Sequence, residues 1–590
     1  MILDDLNSYY ELKVQEEDSE LPRLHWSREK VVWQFRLDED GRLVTVVPYA
    51  NVEKKIRHKM LFVPEHAART VGVKPFFLCD KAAYVLGRDE KRGDETLEAS
   101  RRLHHEVLDG VDDIGARAIL AFLDTLSGIE IITDAELEAL DEGGLIVFAY
   151  IPDESLIHTR KEVIDAWIAY CDRKHGEDRI QCAVTGKQDF PADLFPMLRG
   201  FPGGQSSGAS LISFNKDSFC SYGKSHKDQA LNASISETAA FNIGSALRYL
   251  TQDRNHRLPF GDSQLLFWTE KDEVDDDNAF RLLIDCDSEL NRVRENEALL
   301  SDLKRKLEDI RAGKRTMNFD RSSRYFLLGL APNAARLSVR LFESGTLGEL
   351  ETNLQKFLRD TEMVAGNGRG ILPARSIRYY AYQTAALGKA ENVPETLIST
   401  LTDAVLKGYS FPESFFQLLI SRTRIDKGYS GSGDRKYDAM GYRAAAMKAC
   451  LLRKRYVQEG GIDVSLNKEK RNIGYLLGRL FAVLEKVQKD AIPSANATIR
   501  DRYMGAASAT PRRVFPQLLK MSQHHIAKVD TGFGIAADKR IQEIVEGVGE
   551  FPATLSYDDQ GQFYIGYYHQ KAEIYKSKDA HEAPSAESEE

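Results

Sequence analysis

Over the first 80 residues, stretches rich in β-branched and aromatic residues alternate with polar stretches. KVVWQFRL (30–37), RLVTVVPY (42–49), KMLFVP (59–64) and KPFFLCD (74–80) are set off by the turn-forming DEDG and NVEKK, which predicts strands. Helical spacing then takes over. TLEASRRLHHEVLDGV (96–111) and DIGARAILAFLDTLSG (113–128) space their apolar residues three and four apart, as amphipathic helices do, before LIVFAYIPD (145–153) returns to strand character. Such mixing predicts an α+β domain rather than a repeating βαβ sheet.

From 154 to 260 the pattern predicts a helix over IDAWIAYCDR, a strand and turn at CAVTG, a Gly/Ser loop, and a helix opening near Ser234, where SISE fits a capping box. The strands QLLFWTE (264–270) and SRYFLLGLAP (323–332) follow, and the charged stretch between them, DCDSELNRVRENEALLSDLKRKLEDIRAGKR, predicts one amphipathic helix. Beyond about 345 helices dominate, in TNLQKFLRDTE, SIRYYAYQTAALG, TLISTLTDAVLKG and FFQLLISRTR. KGYSGSGDRK (427–436) interrupts them ahead of a last helical block, and KSKDAHEAPSAESEE is expected to be a disordered acidic tail. The fold expected is α+β: a mixed N-terminal region with short sheets, then an all-α bundle. The domains expected are 1–153, 154–344, 345–436, 437–575 and a tail at 576–590.

At 590 residues with 42% hydrophobic and 29% charged residues, the chain has an ordinary globular composition and is too long for one core. No apolar run approaches the length of a membrane span, and the acidic N-terminus does not read as a signal peptide, so a cytoplasmic protein is expected. Cys79, Cys171, Cys182, Cys220, Cys286 and Cys450 show no C-x-x-C pairing and are expected to be reduced thiols in packed positions. His104–His105 and His524–His525 are adjacent pairs that point to different helix faces, so no metal site is expected.

The net charge of −10 speaks against nucleic-acid binding as a bulk property, but the charge is unevenly spread. Residues 440–530 hold 17 Lys and Arg against 7 Asp and Glu, a local excess of +10. Its clusters are Arg453, Lys454 and Arg455; Lys468, Lys470 and Arg471; Arg512 and Arg513. Two readings stand: a groove that tracks a phosphate backbone, or cations that face acidic surfaces of this protein or its partners.

GQSSG (204–208) satisfies the nucleophile-elbow pattern G-x-S-x-G, which would make Ser206 the nucleophile of a serine hydrolase. Its flanks argue otherwise. Pro202 and paired glycines precede it where a central strand should end, and ASLISFN follows with the alternation of a strand where a helix should begin. His226 and His256 have no hydrolase context. The composition suits a binding loop instead: Gly203, Gly204 and Gly208 allow close backbone approach, while Gln205, Ser206, Ser207 and Asn215 offer short neutral donors and acceptors for base edges and phosphates. A structural turn whose side chains cap their own backbone is the alternative.

Several stretches together resemble the large subunit of the type I-C CRISPR Cascade effector complex: MILDDLNSYYELK at the start, MLFVPEHAARTVGVKPFFLCDKAAYVLG (60–87), CAVTGK (182–187), GGQSSGASLISFN with SYG (221–223), and LGLAPNAARLSVRLF (328–342). They keep the family's order over most of the first 345 residues. The resemblance implies a non-enzymatic subunit of an RNA-guided antiviral complex. Pairing with CRISPR RNA reads the target, while this subunit recognises a short protospacer-adjacent motif (PAM) in double-stranded DNA, helps open it into an R-loop and recruits a separate helicase-nuclease. Its partners would be guide-handle-binding, backbone and small subunits, the target duplex and the displaced strand, with no cofactor and no membrane. A stand-alone nucleic-acid binder is a further alternative.

Carried onto this sequence, the resemblance puts Lys74, Phe76, Gly204, Gln205, Ser206, Ser207 and Asn215 at the PAM duplex and the basic clusters at the displaced strand. Phe76 stands where relatives are expected to carry a polar residue; it reads either as a wedge between bases or as a core aromatic. The resemblance also implies that the C-terminal helical segment is made separately as the small subunit, from an internal start at Met440 or Met447.

Overall fold

The computed structural model describes residues 1–16, 19–49, 58–66, 72–174, 179–222, 224–226, 229–260, 263–271, 285–287, 297–314, 320–394, 396–426, 438–454 and 461–578. They form two compact units: Met1–Gly200 with Gly204–Gln252 and Asn333–Leu337, and Phe201–Gly203 with Asp253–Pro332 and the chain from Ser338. The architecture is α+β, with sheets concentrated in the N-terminal half and helices taking over the C-terminal part.

In the first unit the predicted strands form one sheet around β1 (Trp26–Leu37). Its twelve residues are long enough to pair twice on one side: its first half lies antiparallel to β3 (Lys59–Pro64) and its second half to β2 (Leu43–Pro48). On the other side runs the parallel β5 (Leu145–Tyr150), which pairs in turn with β4 (Cys79–Asp80) and β6 (Ser155–Leu156). The sheet buries Phe35 and Phe148 against Phe122 of the helix Ile114–Thr125, the Phe35 ring meeting the other two edge-on at 6.2 and 6.4 Å. That helix starts at Asp113, whose carboxylate accepts the Ala116 N–H at 2.8 Å.

KPFFLCD departs from its predicted strand. Only Cys79 and Asp80 pair; Pro75 cannot donate to a ladder, and Leu78 turns the backbone into the left-handed region at φ 54°. The run serves packing instead, with Phe77 buried and stacked on Trp167 at 4.9 Å. The SISE box is also corrected. Ser234 sits at φ 49°, and it is Ser236 whose hydroxyl accepts the Ala239 N–H, capping the helix Glu237–Gln252 two residues later than expected.

CAVTGK forms the turn between β7 (Ile180–Gln181) and β8 (Gln188–Asp189), and Cys182 packs with Ala192, Ile235, Ala239 and Ala240 in a small core. Against that core rests Ile212, which anchors the segment after the Gly/Ser loop. ASLISFN extends as a strand only over Ala209–Ser210 (β10), paired with Met197–Leu198 (β9).

The second unit opens with β11 (Arg257–Phe260), β12 (Ser263–Thr269), β13 (Arg324–Asn333) and β14 (Arg336–Thr346), each beside the next. Of the predicted charged helix, Glu297–Arg311 is described. One core then runs from Leu258 to Ile574, enclosing residues from both sides of the Gly/Ser interruption at 427–436, which itself lies outside the described residues. Four helices matter below: α1 (Ala439–Leu452), α2 (Ile473–Ala491), α3 (Pro511–Ile526) and α4 (Tyr557–Lys578).

α2 is buried from Gly474 to Gln488 on every face, its Arg479, Glu485 and Lys486 included, as befits a helix surrounded by others. Gly474 and Gly478 let α4 approach so closely that a Cβ at either would fall about 2 Å from the carbonyl oxygen of Asp559 or Phe563. Alanine there would drive the two central helices apart. Of the expected acidic tail, Lys576–Lys578 complete α4 and 579–590 lie outside the described residues.

None of the six cysteines forms a disulfide, and Cys79, Cys182, Cys286 and Cys450 are buried. No described helix is long and apolar enough to cross a membrane.

Candidate nucleic-acid interface

The Gly/Ser loop stands out from the first unit. Gly204 through Ser207 are exposed, and the Gly208 N–H closes a turn onto the Gln205 carbonyl at 3.0 Å. Gly208 is obligatory: its φ is +99°, and a Cβ would meet the Leu198 carbonyl oxygen at 2.8 Å. Arg199 Nε donates to the Ser207 carbonyl at 3.4 Å, tying the loop to β9. The hydroxyls of Ser206 and Ser207 and the Gln205 amide are thus presented on a backbone fixed at its far end.

Behind the loop comes a second segment from far along the chain. The β13–β14 tip, Asn333–Leu337, belongs to this unit, with the Ser210 N–H donating to the Ala335 carbonyl at 3.0 Å and Ser210 opposite Arg336 in register. Arg336 lays its guanidinium over the Phe219 ring, 4.1 Å from the centroid, and donates from Nη2 to Asn215 Oδ1 at 2.7 Å. Asn215, Lys216 and Phe219 are exposed, and Tyr222 is 98% exposed at φ 58°. Two motifs that the resemblance singled out separately, GGQSSGASLISFN and PNAAR, therefore form one cluster. Arg336 was missed in the sequence because it lies in a motif that reads as a hairpin tip; its contact with Asn215 spans 121 residues.

The elbow geometry is absent around Ser206. No helix starts directly after the serine: a single 3-10 turn at Asp217–Phe219 comes first and the next described α-helix, Gln229–Ala233, begins more than twenty residues on, while His226 is engaged by Asp217, its Nδ1 2.7 Å from Oδ1. His256 is buried in the second unit, its Nδ1 3.1 Å from the Phe267 carbonyl oxygen. Among the described residues no group of three or more His, Cys, Asp or Glu could hold a metal ion.

Lys74 is exposed on a different support. Buried Asp80 holds this turn by accepting the Phe76 N–H at 2.7 Å and the Lys81 N–H at 2.8 Å. The half-buried Phe76 ring stacks on His66 at 4.0 Å with 13° between planes, while the core position is taken by Phe77. Phe76 is therefore neither a core aromatic nor a free wedge here.

The basic block of the second unit divides sharply. Arg453 is buried, its Nε on Asp360 Oδ2 at 2.7 Å, its Nη1 shared by the Ala404 and Tyr409 carbonyls, and its guanidinium over Phe411. Lys454 bridges Glu413 and Asp558 at 2.9 and 2.6 Å; Arg455 lies outside the described residues. Lys470 donates to the Gly461 carbonyl at 2.8 Å, and burial lowers its pKa. Buried Arg443 and Lys448 on α1 reach Asp426 and the Arg359 carbonyl, and burial pulls Lys448 down to about 8. For Arg453 and Lys454 the expected role on a displaced strand gives way to an internal one. Lys468 and Arg471 stay exposed.

α3 is different. Its sequence PRRVFPQLLKMSQHHI contains no acidic residue. Val514, Phe515, Leu518, Ser522 and His525 face inward, leaving Arg513, Gln517, Lys520 and His524 exposed at helical spacing, with Lys528 one turn beyond. Arg512, beside Arg513, turns away: its Nε donates to the Phe551 carbonyl at 3.1 Å and its Nη2 lies 3.6 Å from Glu550. Arg513, Lys520 and Lys528 thus form a cationic stripe that the sequence shows only in part, because reading it requires knowing which face of α3 is buried.

A model of the family described as CRISPR-associated protein (Cas_Csd1) matches residues 6–575. No curated protein matches the chain.

Proposed function

The chain belongs to the CRISPR-associated Cas_Csd1 family, and from that premise we propose that it is the large subunit of an RNA-guided type I-C surveillance complex that recognises a PAM in double-stranded DNA. In this reading the subunit performs no chemistry. It makes the first contact with the duplex, promotes R-loop formation and helps recruit a helicase-nuclease, in the cytoplasm, alongside guide-handle-binding and backbone subunits. Base pairing supplies the sequence; protein supplies the motif contact and a channel for the backbone.

The observation that carries the proposal is that Ser210, three residues after the exposed loop of Gln205, Ser206 and Ser207, pairs with the β13–β14 tip whose Arg336 holds Asn215. The loop residues and Asn215 are exposed, Arg336 is half-buried, all are polar, and they sit within a family match that spans the chain. Hydroxyls and amides suit base edges and phosphates. The α3 stripe supplies sequence-independent attraction for a displaced strand. Small subunits are expected to be made from the C-terminal helices. Met440 suits the start better than Met447, because it lies one residue inside α1 and leaves that helix intact, whereas Met447 would cut it in half.

The test is binding of short duplexes, with and without the motif that flanks natural targets, by the complex purified with its CRISPR RNA. Replacing Gln205, Ser206, Ser207 and Asn215 by alanine together should abolish discrimination between the duplexes while the complex still assembles. Equal binding of both duplexes by the unaltered complex would refute the proposal.

A further inference from the structure

The Asn215–Arg336 contact fixes a polarity. A guanidinium carries donors and no acceptor, so the Asn215 atom 2.7 Å from Nη2 must be the amide oxygen whichever way the amide is drawn. One lone pair of the oxygen is therefore held by a cation, and the end of the amide left uncommitted by this contact is Nδ2 with its two hydrogens. Arg336 is itself held against Phe219, so the pair is organised before any ligand arrives. The nearest carboxylate in sequence, Asp217, already accepts from the backbone N–H and ring of His226.

Resting on the reading of this loop as a duplex contact, we propose that Asn215 and Arg336 form a donor-biased reading head that selects base edges presenting hydrogen-bond acceptors. An asparagine elsewhere reads adenine with its oxygen and nitrogen together, taking a hydrogen from the base amino group. Here a base donor meets an oxygen beside a positive charge, whereas a base acceptor meets N–H groups from both side chains. The shared chemistry has two sources in a duplex: the minor-groove edge of an A·T pair, which shows only acceptors, and the guanine N7 and O6 pair in the major groove. Arg336 acts as a positioning residue, setting which end of the Asn215 amide faces outward.

The experiment uses the assembled complex and duplexes carrying its preferred motif, with one base at a time replaced by an analogue. At one position 3-deazaadenine, which loses the minor-groove acceptor, or 2,6-diaminopurine, which adds a minor-groove donor, should weaken binding roughly ten- to hundredfold. Sensitivity to 7-deazaguanine in their place assigns the contact to the major groove. Asn215→Asp keeps the pairing with Arg336 but removes the amide donor, so it should erase that sensitivity. Arg336→Met should relax the preference toward edges that present a donor, and Arg336→Lys should retain it; a merely structural role for Arg336 would move affinity for all duplexes alike. If the unaltered complex selects a motif but no acceptor removal matters, or Asn215→Asp keeps the sensitivity, the reading head is wrong and the PAM function stands. If the unaltered complex selects no motif, the function fails first.

Discussion

α1 and α3 belong to the same basic stretch of sequence and put their cations to opposite uses. On α1 and at its end, Arg443, Lys448 and Arg453 are buried and engaged by Asp426, the Arg359 carbonyl and Asp360. On α3, Arg513 and Lys520 face outward from a helix without a carboxylate. Charge along a chain becomes a surface field only where folding leaves it unpaired. The excess of +10 counted over 440–530 was accurate as a sum, yet part of it is cancelled by Asp360, Glu413, Asp426 and Asp558, which all lie outside that window.

The contrast breaks most visibly at Arg453. Arg453→Met would leave Asp360, whose side chain is 14% exposed, without its charge partner; removing one member of a buried pair costs about 3–5 kcal/mol. Chemical denaturation should show that loss, and DNA affinity measured well below the new midpoint should be unchanged. A stable variant with weakened DNA binding would place Arg453 on the wrong side of the comparison.

Lys448 sharpens it through pH. Burial depresses its folded pKa to about 8 from the 10.5 of an open lysine, so between those values the unfolded chain holds a proton that the folded chain has released. Stability should therefore rise from pH 8 toward 10.5, by up to about 3 kcal/mol if no other group intervenes. Below pH 8 both states are protonated and the contribution is flat. Lys448→Met should remove this rise from the denaturation profile.

The outward helix predicts the reverse pattern. Changing Arg513, Lys520 and Lys528 together to Gln should leave the denaturation midpoint in place, since surface substitutions of this kind stay within about 0.5 kcal/mol. If each cation meets one phosphate of a single strand, the slope of log affinity against log salt should become shallower by about 2. An unchanged slope would remove the stripe from the proposed interface.

These differences explain what could be read before folding. The strands at 30–37, 42–49, 59–64 and 145–150 were legible from their β-branched and aromatic content between turn signals, the last, LIVFAY, being buried on both faces; the amphipathic helices were legible because one face of each is buried and apolar residues recur at three and four. KPFFLCD misled because aromatic content signals burial without saying whether backbone or side chain does the pairing. At the candidate site, the exposed Gly/Ser loop announced itself by composition. Arg336 did not, since its role depends on a contact with Asn215 that no local window contains, and Arg453 looked like Arg513 because a buried guanidinium and a free one are spelled alike.

The finest form of the comparison is a single peptide bond. Arg512 and Arg513 are neighbours at the start of α3, and a rotation of about 100° between successive helical residues sends one toward Phe551 and Glu550 and the other to solvent. Arg512→Ala gives up a hydrogen bond to a carbonyl and an exposed ion pair, a loss near 0.5 kcal/mol in thermal or chemical unfolding, with little change in the salt slope. Arg513→Ala should do the opposite, leaving stability alone and removing about 0.7 from the slope. Because they act on different equilibria, the double variant should show both effects undiminished. Any shared effect would mean that both arginines touch the same partner, and that the hydrogen-bonded and the outward cations of this block are not separable even at adjacent residues.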